Sequence, residues 1–168
     1  MAAKKSIQIL DQAQIKQKID RIAYQILEDC FDEKEIIIAG IASRGYVFAQ
    51  KLEKVLCKIS KINCTLVEIT LDKDSNNLVA STNIPVSQCK NKTIILVDDV
   101  LNSGRTLLYG LSVFLNIPTK KIRTAVLVDR SHKLFPISTD YAGYTISTVS
   151  QEHISVVFDK NKDAVYLS

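Results

Sequence analysis

The sequence predicts an α/β fold: one domain on a mostly parallel, twisted sheet with flanking helices and a small C-terminal β extension. Three observations predict it. Continuous, largely β-branched apolar runs at 35–41, 93–97 and 122–128 have the composition of strands buried on both faces. Segments with apolar steps of three and four residues alternate with those runs. The 168 residues are 46% hydrophobic, enough for one core, and no linker or repeat divides them, so a single domain over 1–168 is expected.

Each element follows in order. From Asp11 to Cys30, Ile15, Ile19, Ile22, Ala23, Ile26 and Leu27 fall on one helical face. Asp11 caps that helix, with Gln14 reaching back as in a capping box. The run 35–41 is a buried strand, and 45–59 returns to helical spacing through Val47, Ala49, Leu52, Val55, Leu56 and Ile59. A strand is expected at 63–71. Residues 72–91 are polar and without period, and a connection of that length is usually functional. Residues 93–97 form the next strand, a helix runs from Gly104 or Arg105 to about Leu115, and 122–128 is a third buried strand. Short strands are expected at 144–147, 154–158 and 164–167.

Composition removes several classes. Lys and Arg number 22 against 18 Asp and Glu, a net charge of +4, which tolerates a polyanionic partner without demanding one. Cys30, Cys57, Cys64 and Cys89 show no C-x-x-C spacing and only His132 and His153 accompany them, which argues against a structural zinc site or a disulfide framework. No signal peptide is visible, and the longest apolar stretch, 36–42, is far short of the ~20 residues that span a bilayer. A cytoplasmic protein with reduced thiols and no membrane partner is expected.

In a parallel sheet, ligands bind beyond the carboxyl ends of the strands. Three loops leave such ends, at 42–45, 98–106 and 129–136, and should meet on one edge. A dinucleotide fingerprint fails because no two of Gly40, Gly45, Gly104, Gly110 and Gly143 are one residue apart. A P-loop fails because Tyr46-Val47 follows Gly40 and Gly45 where Lys-Ser/Thr is required. The segment after 94–97 is different: Asp98, Asp99, Val100, Leu101, Asn102, Ser103, Gly104, Arg105, Thr106. A strand ends in paired carboxylates, a short Ser/Gly loop follows, and a helix begins. Its first amides, with the Ser103 and Thr106 hydroxyls, suit a phosphate, and Gly104 allows close approach. Asp98 and Asp99 would repel phosphate, so their partners are sugar hydroxyls or a cation. A ligand with a ribose and a 5-phosphate meets both demands. A solvated acidic loop, or a Walker-B-like strand end lacking its Walker A partner, are the rival readings of the acidic pair alone.

The thirteen-residue pattern 94–106 resembles the ribose-5-phosphate signature of type I phosphoribosyltransferases, which bind phosphoribosyl pyrophosphate. Ile9-Leu10-Asp11, Arg21-Ile22-Ala23, the run from Gly40 to Gly45, Ile69-Thr70-Leu71, the run from Ala125 to Arg130, His132, Pro136, Asp140-Tyr141 and Gly143 resemble, in order and spacing, the family of pyrimidine operon attenuators that are also uracil phosphoribosyltransferases.

The resemblance implies transfer of the phosphoribosyl group to a nucleobase, uracil first, with Mg²⁺ bridging the diphosphate and ribose oxygens, mainly through substrate. It implies catalytic roles for Asp98, Asp99 and Arg44, with Ser43, Arg44 and Gly45 as the diphosphate loop. Asp129 and Arg130 fall where the family reads the pyrimidine, although a plain loop ion pair accounts for them too. Lys73 stands in the family's flexible loop in place of an Arg, Asp72 replaces an aromatic, and the loop is shorter than in the family. His132 and His153 read as structural or surface residues. A homodimer or larger assembly is implied.

RNA binding would use Lys16, Lys18, Arg21, Arg130 and Lys133. Asp20 and Tyr24 replace a Thr and a His of the family, and Lys133 and Ser138 replace arginines. A carboxylate at Asp20 repels a phosphate backbone and the lost guanidiniums remove fork-like contacts, so weak or absent attenuation is expected. Lys16 and Lys18 are equally explained as solvated helix charges. An RNA-binding regulator, or a catalytically silent sensor of phosphoribosyl pyrophosphate or uridine monophosphate, are the alternatives to an enzyme.

Overall fold

Strands Glu35–Ile41 (β2), Asn63–Asp72 (β3), Thr93–Leu101 (β5), Lys121–Asp129 (β6) and Tyr141–Thr145 (β7) form a parallel sheet, and Val79–Thr82 (β4) adds an antiparallel edge to β3. The spatial order is β4-β3-β2-β5-β6-β7. The computed structural model describes residues 6–72, 79–160 and 162–168. Lys73 and its neighbours to 78 therefore lie outside the described residues.

The period of two along each central strand divides the core. Ile36 and Ile38 of β2, Ile95 and Val97 of β5, and Ala125 and Leu127 of β6 point to one face. That face is covered by Gln12–Asp29 (α1) and Arg44–Ile59 (α2) through Ile15, Ile22, Ile26, Phe48, Leu52 and Leu56. Ile37, Ala39, Ile94, Leu96 and Val126 point the other way, against Leu107 and Phe114 of the region that opens with Arg105–Ser112 (α3). Burial on both faces is why these strands read as unbroken apolar runs. A second sheet, β1 (Ile7–Leu10), β9 (Ala164–Leu167) and β8 (Ile154–Val157), is antiparallel, in the order β1-β9-β8. Its Leu10, Ile154, Val156 and Val165 join the α1/α2 side of the core.

The capping box at Asp11 is present: its carboxylate accepts the Gln14 amide at 2.8 Å and the Gln14 side chain accepts the Asp11 amide at 2.9 Å. Several boundaries differ from the sequence reading. Residues 72–91 contain β4 and a short 3-10 turn over Val86–Cys89. Helix α3 ends at Ser112 rather than near Leu115, with turns following. The first tail strand begins at Tyr141, where Ala142 and Gly143 hide its pattern, and Ile7–Leu10 is a strand only because β9 pairs with it. Among the described residues no helix is long and apolar enough to cross a membrane.

Candidate active site

Strand order places the site. From β2 the chain steps to β3 on one side, and from β5 it steps to β6 and β7 on the other, so β2 and β5 are neighbours whose connections leave in opposite directions. The crevice beyond their carboxyl ends is a topological switch point. A cavity of about 280 Å³ opens there, lined by Ser43, Arg44 and Gly45 after β2, by Asp98, Asp99, Val100, Asn102 and Thr106, and by Ile154 of the small sheet with His153 just before it. A notch of about 30 Å³ adjoins it, lined by Asn102, Ser103, Gly104, Thr106 and Leu107 with Asp98, Val100 and Leu101.

Asp98 and Asp99 are not in a loop: β5 continues through Leu101, held by its pairing with β6 out to Leu101 and Asp129. The sequence hid this because two carboxylates end the apolar run. Alternation then gives the two acids different surroundings. Asp98 is buried, and its Oδ1 accepts the Asp99 amide at 2.9 Å. Burial, then the negative charge of Asp99, push the Asp98 carboxyl well above the ordinary carboxylate range, while Arg44 pulls the other way. Asp99 points at Arg44, Oδ2 to Nε 3.3 Å, and Arg44 Nη1 also donates to the Val156 carbonyl at 3.3 Å.

Both helices that start at the cavity lack a side-chain cap, unlike α1. Apart from the Arg105 amide, which the Ser103 hydroxyl accepts, their first-turn amides are left for another acceptor, and the dipole favours an anion. Gly104 precedes α3 at φ 87°, a left-handed conformation that glycine adopts at little cost. The Ser103 hydroxyl accepts the Arg105 amide at 3.3 Å, and Arg105 lies over the Tyr109 ring. The Ala42–Ser43 peptide is cis. Gly45 is in contact with β5: a β-carbon there would lie 2.9 Å from both Cα and Oδ1 of Asp98.

The third loop packs on the second, Leu134 and Phe135 amides donating to the Ser103 carbonyl at 2.8 and 3.0 Å. Asp129 and Arg130 are buried there and line neither cavity. Asp129 Oδ1 accepts the Ser131 amide at 2.9 Å, with Lys133 at 3.9 Å from Oδ2. Arg130 donates to Thr148 Oγ1, to the Val149 carbonyl at 2.9 Å and to Asn102 Oδ1 at 3.4 Å. Arg130 is thus tied to the 148–149 segment and to Asn102, whereas Asp129 is held within its own loop. His132 lines neither cavity. His153 does line the main one, because β8 folds back beside β5, a long-range contact that no local pattern announces.

The chain belongs to the phosphoribosyl transferase domain family, which matches residues 6–161. Over nearly its whole length it is similar to proteins named bifunctional protein PyrR, and at that likeness it is a member of the PyrR family. It is 33% identical over 179 residues to the protein of Listeria monocytogenes serotype 4b, covering 98% of this chain and 97% of that one. It is 34% identical over 176 residues to that of Corynebacterium glutamicum, covering 96% and 92%. Solved structures share the fold: the hypoxanthine phosphoribosyltransferase of Trypanosoma cruzi (TM-score 0.76, 16% identity, 94% of each chain) and a hypoxanthine-guanine phosphoribosyltransferase of Bacillus anthracis (TM-score 0.74, 22% identity, 88% and 86%). The activity class is therefore pentosyl transfer from phosphoribosyl pyrophosphate to a nucleobase.

Proposed function

We propose that the chain converts uracil and phosphoribosyl pyrophosphate to uridine monophosphate and diphosphate. The observation that carries this is the meeting, at one switch-point cavity, of the uncapped starts of α2 and α3 with the unlike carboxyls Asp98 and Asp99. The α3 start, with Asn102, Ser103, Gly104, Arg105 and Thr106, takes the 5-phosphate, and Val100 and Leu101 set the strand end that leads into it. Asp99 accepts from ribose hydroxyls. Asp98, holding its proton beyond the ordinary carboxylate range, adds less negative charge against an anionic ligand than an exposed pair would. Ser43, Arg44 and Gly45 hold the diphosphate, where a guanidinium is well shaped for phosphoryl oxygens.

The bond from C1 to the diphosphate oxygen breaks as the base nitrogen bonds to C1. The diphosphate leaves with the bonding electrons, and the base N–H proton passes to diphosphate or solvent. Positive charge develops on the ribose ring, so these residues act by position and preorganised charge. Among the described residues no three His, Cys, Asp or Glu side chains gather to hold a metal ion. Two carboxylates are a partial donor set, which fits Mg²⁺ entering on the diphosphate with Asp98 and Asp99 beside it. When bound, Mg²⁺ neutralises charge on the leaving group. Asp129 and Arg130 position the loop that faces the base.

A diphosphate-release assay with Mg²⁺, run against uracil, cytosine, adenine, guanine, hypoxanthine, xanthine and orotate, tests this. Turnover confined to uracil supports the reading. Turnover with another base keeps the chemistry and overturns the pyrimidine, and a ligand-induced thermal shift without turnover makes the chain a sensor.

RNA regulation is the second reading, and it is expected to be weak. Lys16 is paired with Asp20 at 2.8 Å, and Arg21 donates to the Ala142 and Gly143 carbonyls. Arg130 is buried and Lys133 faces Asp129. Of the five basic candidates, only Lys18 is left without such an engagement among the described residues. Salt-dependent, sequence-selective RNA binding would restore the regulator. A homodimer or larger assembly in the cytoplasm, with Cys30, Cys57, Cys64 and Cys89 as free thiols, completes the proposal.

A further inference from the structure

The Arg44 guanidinium is held from two sides. Asp99 of β5 faces its Nε, and the Val156 carbonyl of β8 accepts from its Nη1 at 3.3 Å. The side chain is exposed, so packing alone does not fix its rotamer. Among the described residues no strand of the small sheet pairs with a strand of the large one. Side-chain contacts therefore decide where the Val156 carbonyl stands relative to α2, and with it where Arg44 points.

One stripe of α2 supplies those contacts, since positions 44, 48 and 51 are neighbours at helical spacing. Phe48, fully buried, stacks on Phe158 with ring centroids 6.4 Å apart, and Phe158 directly follows β8. Lys51 Nζ lies 5.4 Å from the centre of the same ring and 2.7 Å from Oδ2 of Asp163, which directly precedes β9. The other oxygen of Asp163 accepts the Asp159 amide at 3.1 Å and so ties together the two ends of the β8–β9 connection. Across that hairpin Val156 is paired with Val165. The links close a ring: Arg44 to Val156, Val156 to Val165, Asp163 to Lys51, and back along α2 to Arg44. Asp163 is buried, and a buried carboxylate needs its cation, because losing it leaves an uncompensated charge.

We propose that Lys51 and Asp163 are positioning residues: their ion pair holds the β8–β9 hairpin in register with α2, so that the Val156 carbonyl aims Arg44 at the diphosphate. Neither residue lines the cavity, and both act through Arg44. The proposal rests on the reading of Ser43, Arg44 and Gly45 as the diphosphate loop.

The test is calorimetric binding of inorganic diphosphate with Mg²⁺ to the full chain and to the K51M, K51R and R44A variants, with K51M/R44A completing a double-mutant cycle. K51M should weaken diphosphate roughly three- to tenfold, the scale of coupling between residues in one network. K51R, whose guanidinium can still pair with Asp163, should stay near wild type. In the R44A background K51M should cost nothing further, because the group it positions is gone. A lost structural tie lowers the melting temperature in either case, so the cycle and not the melting temperature decides. D163N, which keeps an oxygen for the Asp159 amide, gives the same cycle with R44A if K51M does not fold. Undiminished diphosphate affinity in K51M overturns the proposal. So does an equal loss in both backgrounds, which makes the pair a structural tie only, or an R44A chain that binds like wild type. A wild-type chain that binds no diphosphate fails the functional reading itself, and this inference with it.

Discussion

The carboxylate Oδ2 of Asp99 lies 3.3 Å from Nε of Arg44, so the cavity's exposed cation and a largely buried carboxylate are held together across the gap between β5 and α2. Arg44 is 55% exposed at its side chain, and an ion pair so open to water contributes under about 1 kcal/mol to folding. On the function proposed above, its value lies in the bound state, where a diphosphate competes with Asp99 for the guanidinium.

R44A is therefore expected to leave the melting temperature nearly unchanged and to raise KM for phosphoribosyl pyrophosphate. A charge-assisted hydrogen bond is worth about 1.5–3 kcal/mol, so kcat/KM should fall roughly ten- to hundredfold. R44K, which keeps charge without the fork, should fall between the two. Steady-state kinetics with the base saturating checks this; an unchanged KM in R44A removes Arg44 from the diphosphate site.

Asp98 predicts a pH dependence of stability. Its carboxyl titrates above the ordinary range in the folded chain, so between the unfolded and folded pKa values the native state holds the extra proton. Stability therefore falls as pH rises through that window, and the full contribution is present only below it. D98N removes the titration while its side-chain oxygen still accepts the Asp99 amide. At pH 8 the variant should be more stable than wild type by on the order of 1 kcal/mol, with turnover lost. Urea denaturation at pH 5 and pH 8 measures this. A D98N chain less stable than wild type at pH 8 shows that the buried carboxylate is welcome where it stands.

Much of this site is readable without coordinates, for a physical reason. Residues 94–106 combine a strand, an acidic pair and a helix start within one local stretch, and each has a short-range signature. The capping box at Asp11 and the two-faced burial of β2, β5 and β6 are local in the same way. What escapes is whatever depends on distant partners. Ile7–Leu10 is a strand only opposite β9, and His153 reaches the cavity only because β8 lies beside β5. Asp129 and Arg130 were legible as a polar pair after a strand, but not that Arg130 turns onto Thr148, Val149 and Asn102 while Asp129 bonds the Ser131 amide.

Those bonds make Arg130 a brace. R130M keeps much of the buried volume and leaves Thr148 Oγ1, the Val149 carbonyl and Asn102 Oδ1 short of a donor. A buried, multiply bonded charge replaced in this way is expected to cost about 2–4 kcal/mol. The loss should appear in the denaturation midpoint before it appears in KM. A variant with wild-type stability would mean that water replaces the guanidinium freely.

Gly104 carries two separable penalties against any side chain. Its φ of 87° disfavours an L residue by roughly 1–2 kcal/mol, and a β-carbon there would lie 2.6 Å from Cγ2 of Ile137. G104A should therefore lose more stability than the backbone term alone, about 2–3 kcal/mol, and should weaken ribose 5-phosphate binding because the α3 start is displaced. Comparing I137A with the G104A/I137A double variant removes the clash and keeps the strain. Within that pair the alanine at 104 should cost only the backbone term, which makes the coupling energy a direct reading of the steric part. Equal costs of G104A in both backgrounds would show that the Ile137 side chain yields without resistance and that conformation alone fixes glycine at this turn.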